Sequence, residues 1–167
     1  MDQQLINLKK NIYTLNKDQK LVGLFVLRNK EKITGLTEFI HKKPNLKIKV
    51  SLKFILLDES ELDLEAKVII EKGARFIDTC LRIDTLLLSE NAKARVIPSM
   101  EIKENDVNAS HAATIKKLDE DQITYLMSRG LSRIYAEKVL IEAFTKSLID
   151  EVTDSKLKAI LVKSSRF

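Results

Sequence analysis

Apolar and polar residues alternate along two consecutive stretches in the first half of the chain. In residues 46–56 every even-numbered position is apolar, and three of the intervening positions are lysines. Residues 61–70 repeat the alternation, with carboxylates and a lysine among the polar positions. A period of two residues is typical of a β-strand with one buried face. The polar triplet at 58–60 predicts a turn between the two strands.

The flanking stretches carry other patterns. Residues 20–27 form an almost continuous apolar run, which favours a strand buried on both faces. Residues 76–88 predict further extended segments. Near the amino terminus, Leu5, Leu8 and Ile12 have the spacing of a short helix.

A weak internal repeat links two of these stretches. The segment Val68–Arg75 is echoed by Leu86–Lys93 at an offset of 18 residues. Gly73 and Asn91, which tolerate positive φ, occupy the same place in both copies. Short strands recurring with a turn residue fit the coils of a β-helix. An antiparallel meander gives a similar pattern, and the periodicity alone leaves both open.

After residue 118 the period changes to that of helices. Asp119, Ser132 and Thr153 are placed to cap three helices in turn, and Gly130 is placed to end the first. We expect these helices to close the open end of a β-solenoid, where strand edges are otherwise unpaired. The predicted apolar faces are Ile123, Leu126 and Met127 in the first helix; Ala136, Val139, Leu140, Ala143, Phe144 and Leu148 in the second; and Leu157, Ile160 and Leu161 in the third.

Composition is that of an ordinary soluble domain. The chain has 167 residues, of which 44% are hydrophobic and 32% are charged. Its longest apolar run, residues 21–27, is too short to cross a bilayer, and the start of the sequence lacks the apolar core of a signal peptide. The sequence therefore predicts a cytoplasmic protein without a membrane segment.

Charge is distributed unevenly along the sequence. Residues 1–56 contain 12 lysines and arginines against 4 carboxylates, whereas the remainder contains 17 against 20. A basic front half can attract nucleic acid or an acidic partner. No recognition helix or aromatic-interleaved motif accompanies this charge, so a solvated, lysine-studded sheet face is the favoured interpretation.

The residues capable of metal or nucleophilic chemistry are few. Cys80 is the only cysteine, and His41 and His111 are the only histidines. One cysteine excludes a disulfide or a multi-cysteine zinc site within one chain. None of the four glycines begins a phosphate-binding loop. The sequence therefore predicts a protein that works by binding rather than an enzyme, and one with no cofactor of its own.

Several short motifs in the second half resemble one known family. The segment Asp106–Thr114 is followed by Asp-Glu-x-Gln at 119–122 and by Tyr-Leu-x-Ser-Arg-Gly at 125–130. Upstream, residues 86–94 and 97–102 continue the resemblance, and downstream it extends to about Asp150. In this order the motifs resemble the SufB/SufD family, the scaffold subunits of the SUF iron–sulfur cluster assembly machinery.

The resemblance implies a fold and a division of the chain. Its core is a right-handed parallel β-helix, which here would occupy residues 1–115 with 1–45 poorly matched, followed by a small α-helical region at 116–167. The matching part is shorter than usual family members, which suggests a reduced SufB/SufD-like scaffold or accessory subunit. Family scaffolds dock a SufC-like ABC ATPase through the helical region and associate with another SufB/SufD-like subunit.

The resemblance also implies site residues. His111 matches a histidine near the subunit interface, where a nascent cluster is thought to form, and is the metal candidate; Ala109 and Ser110 stand where cysteine is common. Cys80 is a weaker cluster or interface candidate, since a buried, inert thiol is the more frequent outcome in a strand. Tyr125, Arg129 and Phe144 fall in the matching partner-binding segment, although the two aromatic residues equally suit packing.

Three functions remain open at this point. The leading hypothesis is a scaffold that holds a transient cluster between subunits, as a homodimer or heterodimer, with a SufC-like ATPase as partner. The first alternative is a structural or regulatory adaptor that keeps the docking helices and holds no cluster. The second, disfavoured by the absence of a recognition motif, is a nucleic-acid-binding module that uses the basic front half.

Overall fold

A computed structural model describes residues 1–165 of the chain. The strands are listed here with their bounds: β1 (Asp2–Leu5), β2 (Ile12–Leu15), β3 (Gln19–Leu27), β4 (Lys32–His41), β5 (Lys47–Leu56), β6 (Glu61–Ile70), β7 (Ile77–Leu87), β8 (Lys93–Ile102) and β9 (Val107–Lys117). The helices are α1 (Glu120–Ser128), α2 (Arg133–Ile149) and α3 (Ser155–Ser164). Not one of these helices is long and apolar enough to cross a membrane.

The strands stack as a parallel β-solenoid of about four coils. Odd-numbered strands form one five-stranded sheet, β1-β3-β5-β7-β9, here called sheet A. Even-numbered strands form the other, β2-β4-β6-β8, here called sheet B. Every pairing in both sheets is parallel. The predicted fold class, a parallel β-helix followed by helices, is confirmed, and the meander is excluded.

The coil length differs from the repeat that the sequence indicates. Gln19 lies opposite Ile48, Lys47 opposite Asp78, and Ile77 opposite Val107, at offsets of 29, 31 and 30 residues. One coil contributes a strand to each sheet, so it is longer than the 18-residue echo. That echo joins β6 to β7, which lie in different sheets. The 18-residue repeat was therefore a wrong prediction of the coil length.

The core lies between the two sheets. The alternating apolar residues of β5 and β6 are all buried there, as the pattern predicts. Gly23 is a necessary member of the inner row, because a Cβ at this position would lie 2.6 Å from Cε2 of Phe25 and 3.0 Å from Cδ2 of Leu52. The missing side chain lets the ring of Phe25 stack on Phe54 at 5.1 Å between ring centroids.

The amino terminus was predicted incorrectly. Residues 2–5 and 12–15 are strands that pair with β3 and β4, with a turn between them, rather than a helix built on Leu5, Leu8 and Ile12. Strand pairing satisfies their backbone groups and lets Ile6 and Leu15 join the core. Tertiary pairing here overrides a weak local helical spacing.

The helix caps agree with the sequence at two of three positions. Asp119 accepts hydrogen bonds from the backbone N–H groups of Asp121 and Gln122, and Ser132 accepts one from Tyr135. Gly130 has φ +95°, the left-handed conformation that commonly follows the end of a helix. The third cap is Asp154 and not Thr153, because the carboxylate accepts from the second and third helical N–H groups, those of Lys156 and Leu157.

The helices cover the outer face of sheet A and leave the end of the solenoid open. Leu148, Ile149 and Leu161 form a second apolar cluster with Val22, Leu24, Ile55 and Leu86 of β3, β5 and β7. The start of α3 is fixed to β1, since Gln3 Oε1 accepts from the N–H groups of Thr153 and Asp154. The expectation that the helices cap the open end is therefore wrong.

Ion pairs join lysines of the front half to carboxylates of later coils. Lys32 pairs with Glu61 at 2.7 Å and Lys47 with Asp78 at 3.4 Å. Lys20 and Lys49 both reach Oε2 of Glu151, at 2.7 and 2.8 Å. The uneven charge of the sequence is thus partly neutralised by ion pairs between neighbouring coils and with Glu151 after α2, and Lys20 and Lys53 are buried rather than solvated.

Candidate functional site

The last coil presents an open apolar end. No strand among residues 1–165 pairs with the outer edge of β8 or β9. The inward-facing row of β9 lies opposite buried residues of β7, with His111 opposite Leu81 and Ala113 opposite Ile83. Ile102 and Ile115 are exposed at 45% and 43%. An apolar solenoid end with free strand edges is a template for pairing with another β structure.

His111 lies in the middle of this end. It faces the interior side of sheet A, yet it is exposed because no coil covers it within the described residues. Its inward-facing neighbours along the strand are Ala109 and Ala113, whose small side chains leave the imidazole accessible. No hydrogen-bond partner of the His111 imidazole is present among residues 1–165, although the strand backbone is paired with β7.

Cys80 lies on the opposite face of the same sheet. It is partly exposed, with a free thiol, and pairs in register with Lys49 on one side and Ser110 on the other. The alternation of β7 directs Thr79 and Leu81 inward and Cys80 outward, so the buried thiol that the sequence favoured is not found. Cys80 and His111 are therefore near neighbours in the sheet whose side chains point apart, and the two cannot ligate one metal within a single chain.

The other histidine is a core residue. His41 is fully buried, with Nδ1 3.3 Å from the carbonyl oxygen of Ile69 and Nε2 3.2 Å from Oγ1 of Thr79. Burial lowers the pKa of His41, and the backbone contacts with Ile69 and Phe39 oppose this only in part. Among the described residues, no three His, Cys, Asp or Glu side chains lie close enough to hold a metal ion together.

The pair α1–α2 carries a second exposed surface. Tyr125 and Val139 line a shallow groove between the two helices and are exposed at 59% and 41%. The guanidinium of Arg129 lies 5.3 Å from the ring centroid of Tyr125. Glu120 binds Arg133 through two hydrogen bonds of 3.0 and 2.6 Å, which fixes the first helix to the second.

Phe144 has a different setting from Tyr125 and Arg129. It is half-buried on the sheet-facing side of α2, and the ammonium group of Lys53 lies 4.2 Å from its ring centroid. The structure therefore brings Tyr125 and Arg129 together on an exposed groove and places Phe144 against sheet A. Val139 was expected to be buried with Phe144, but it lines the exposed groove instead.

A polar cavity between sheet A and α2 was missed at the sequence level. Lys53, Arg82 and Asp84 lie on its floor, and Ser147 lies on its helical wall. In the sequence these floor residues are the polar positions of ordinary alternating strands. Only the helix packed above them turns this face into a site, and no local signal could have indicated it.

The family comparison agrees with the geometry. A family model described as the SufBD core domain of SUF system iron–sulfur cluster assembly matches residues 6–144. This match covers most of the solenoid as well as α1 and much of α2. It also includes the amino-terminal residues up to 45, which the motifs left poorly matched.

Curated relatives give the same assignment. The chain is 30% identical over 141 residues to the iron–sulfur cluster assembly protein SufD of Plasmodium falciparum, covering 84% of this chain and 10% of that protein. It is 27% identical over 136 residues to a SufBD family protein of Mycobacterium tuberculosis, covering 81% and 16%. It is 31% identical over 106 residues to SufD of Escherichia coli, covering 64% and 25%.

These alignments span between a tenth and a quarter of the relatives' own lengths. Most of the solenoid, the open end that contains His111, all of α1 and much of α2 lie in the region that the family model matches. The extent of the family-model match, together with the parallel solenoid, settles the classification: the chain belongs to the SufB/SufD family.

Proposed function

We propose that the chain is a scaffold or accessory subunit of SUF iron–sulfur cluster assembly that works by binding and is not itself an enzyme. The observation that carries this proposal is the open solenoid end, where exposed His111 lies among small residues beside the free edge of β9. Family membership supports the same pathway. The cluster is cargo in this proposal rather than a resident group.

The open end pairs with another SufB/SufD-like solenoid, either a second copy or a related subunit. Strand β9 has 11 residues, Val107 to Lys117, and its midpoint is Ala112. Antiparallel pairing of two copies about this midpoint brings the two His111 residues within one or two positions of each other across a two-fold axis. Such pairing also covers Ile102 and Ile115.

Two chains together then supply what one lacks. A single imidazole is too few ligands for iron, whereas an interface can combine His111 with ligands from the partner. Cys80 faces outward on sheet A, so a role for it in this site would need a sulfur carrier that approaches from the helical side. We therefore assign the interface position to His111 first.

The groove of α1–α2 docks a SufC-like ABC ATPase. Exposed Tyr125, its stacked Arg129 and Val139 provide the aromatic, cationic and apolar contacts that commonly anchor interfaces. Because α2 also packs on sheet A, a force applied at the groove is transmitted to the solenoid. Phe144 supports this surface from below.

The cluster proposal is tested by anaerobic reconstitution with iron and sulfide in the presence of a SufC-type ATPase. Wild type, His111→Ala and the control Ser110→Ala are compared by absorbance and Mössbauer spectroscopy. Ser110 is the adjacent, outward-facing residue of the same strand. We expect a cluster on wild type and Ser110→Ala that is lost in His111→Ala while the complex stays intact.

A complex that forms without a cluster in any variant contradicts the scaffold proposal and favours the adaptor. The docking proposal is tested separately by affinity capture of the ATPase with Tyr125→Ala and with Ile160→Ala, an exposed residue of α3 outside the groove. Only the first change is expected to weaken capture. Equal capture by both variants would contradict the groove assignment.

A further inference from the structure

The polar cavity between sheet A and α2 lies beneath the α1–α2 groove, with which its larger part shares Gln122 and Leu140. It has two adjoining parts, of about 610 and 290 Å³, which share Lys53, Arg82, Asp84 and Ser147 in their walls. The larger part also contacts Lys116 of β9 and the ring of Phe144. The smaller part extends to Lys49, Ser51 and Glu151.

We infer that this cavity binds a small molecule carrying a phosphate-type oxyanion. The argument rests on cations without carboxylate partners and on a buried hydroxyl group without a partner among the described residues, all of which belong to residues that line the same space. Neither feature is needed by the scaffold or docking roles.

Two lysines of the cavity make no ion pair among residues 1–165. Lys53 is 8% exposed, and its ammonium group donates to the carbonyl oxygen of Phe144 at 2.6 Å and to the hydroxyl of Ser147. An ammonium group has three donors, so the third has no oxygen partner among these contacts, and the ring of Phe144 lies 4.2 Å from the nitrogen. Lys116 is exposed at the cavity wall and has no carboxylate contact.

The carboxylates near these lysines are already occupied. Asp84 accepts from Arg82 at 2.9 Å and from Thr114 at 2.7 Å. Glu151 pairs with Lys20 and Lys49. Burial lowers the pKa of Lys53, and the charges of Arg82 and Lys116 lower it further, against the opposing effect of Asp84 and Glu151. An added anion would relieve this deficit of negative charge.

The unpartnered hydroxyl belongs to Ser51. This residue is 5% exposed, lines the smaller part of the cavity, and its Oγ has no hydrogen-bond partner among the described residues. A buried polar group without a partner is costly and usually indicates an unobserved water or ligand. An oxyanion oxygen would accept its proton while neighbouring cations balance the charge.

The test uses the complete 167-residue chain and isothermal titration with two probes, inorganic pyrophosphate and adenosine diphosphate. We expect saturable binding of at least one probe at low ionic strength. The comparison of the two probes distinguishes a free oxyanion from one attached to an organic group that contacts Phe144 and Leu140.

Three variants locate the binding. Ser51→Ala removes one hydroxyl without adding bulk, and Lys116→Ala removes an exposed charge, so neither depends on rebuilding the core. Each is expected to weaken binding by about threefold to tenfold, the range for one lost hydrogen bond or charge contact. Lys72→Ala removes an exposed lysine on the turn after β6 and should leave affinity unchanged.

Absence of saturable binding of either probe up to millimolar concentration overturns the inference. Equal weakening by Lys72→Ala also overturns it, since this would indicate general attraction to a basic protein. A crystal structure of the probe complex with only water beside Ser51 has the same consequence.

Discussion

Single residues decide how tightly the solenoid interior packs. At Gly23 the inner row of β3 lacks a side chain, and the ring of Phe25 occupies the space a Cβ would need. His41 shows a second kind of residue-level constraint, a polar ring enclosed in the core with both nitrogens in contact with a neighbour. Substitution of either residue is therefore expected to cost more stability than substitution at exposed positions of the same strands.

Gly23→Ala is expected to lower the free energy of unfolding by about 1 kcal/mol or more, because Phe25 must leave its stack on Phe54. Urea unfolding measures the change. In a Phe25→Leu background the same substitution should cost less, since the obstructing ring is gone. Equal costs in both backgrounds would contradict the assignment of the clash to Phe25.

The buried imidazole of His41 predicts loss of stability in acid. Its folded-state pKa lies below the ordinary value, so the unfolded chain binds the proton more readily. The stability that neutral His41 contributes is fully present above about pH 6.5 and is lost as the pH falls below that value. Urea unfolding of wild type on both sides of this pH should show a larger decrease than His41→Gln. An identical decrease in both would exclude His41 as the source.

At the scale of elements, the helices are held by one apolar stripe and several buried charges. Leu161 of α3 is 1% exposed and packs on sheet A, whereas the adjacent Ile160 is 47% exposed. The lysines that point from the sheet toward α2 bind its carbonyl groups and the carboxylate of Glu151 just beyond its end. The helix layer is therefore part of the folded unit and not a loose tail.

Leu161→Ala is expected to destabilise the chain by about 2–5 kcal/mol, as for other buried leucines, because it leaves a cavity between α3 and β3. Ile160→Ala removes a similar side chain from the exposed face and should change stability by less than about 0.5 kcal/mol. Thermal unfolding compares the two. Similar losses would mean that α3 is not packed as described.

At the scale of the whole molecule, the main exposed feature is the open end of the solenoid. Lysines of early coils are paired with carboxylates of later ones, which weakens the case for a nucleic-acid surface. The apolar end at β8 and β9 has no partner strand among the described residues, and the helices do not cover it. Association through this end is accordingly the property expected of the intact chain under the proposed function.

Ala113→Glu places a charge in the inward row of β9 and is expected to shift the chain toward monomer. Ile160→Glu places the same charge on the exposed face of α3, away from β8 and β9, and should leave association unchanged. Light scattering after size-exclusion chromatography measures the mass. A wild-type chain that is already monomeric would contradict self-pairing and leave a related subunit as the partner.

Much of the architecture could be predicted wherever the pattern of apolar and polar residues is strong. The alternation in β5 and β6 predicted both strands and their buried faces, since the pleat alone determines which side each residue takes. The caps at Asp119 and Ser132 followed from local hydrogen bonding. The amino-terminal strands were missed because four-residue segments such as β1 and β2 are too short to show a period.

The candidate site could be predicted from the sequence only in part. The motif around His111 indicated an important strand, whereas Cys80 was expected to be a buried thiol and is partly exposed on the outward face of sheet A. That His111 stands exposed at an open end depends on which coil is last among the described residues. Ser51 and Lys53 were expected on a solvated face, yet they are 5% and 8% exposed.

The residue pattern alone predicted the strands of the middle coils, the helices, two of their caps and the family. These features depend on neighbours within a few residues or on motifs in a fixed order. Tertiary structure decided the coil length of about 30 residues, the position of the helices on sheet A, and the enclosure of Ser51 and Lys53. Those outcomes depend on which distant segments pack together, and packing free energy between segments leaves no periodic signal in either one alone.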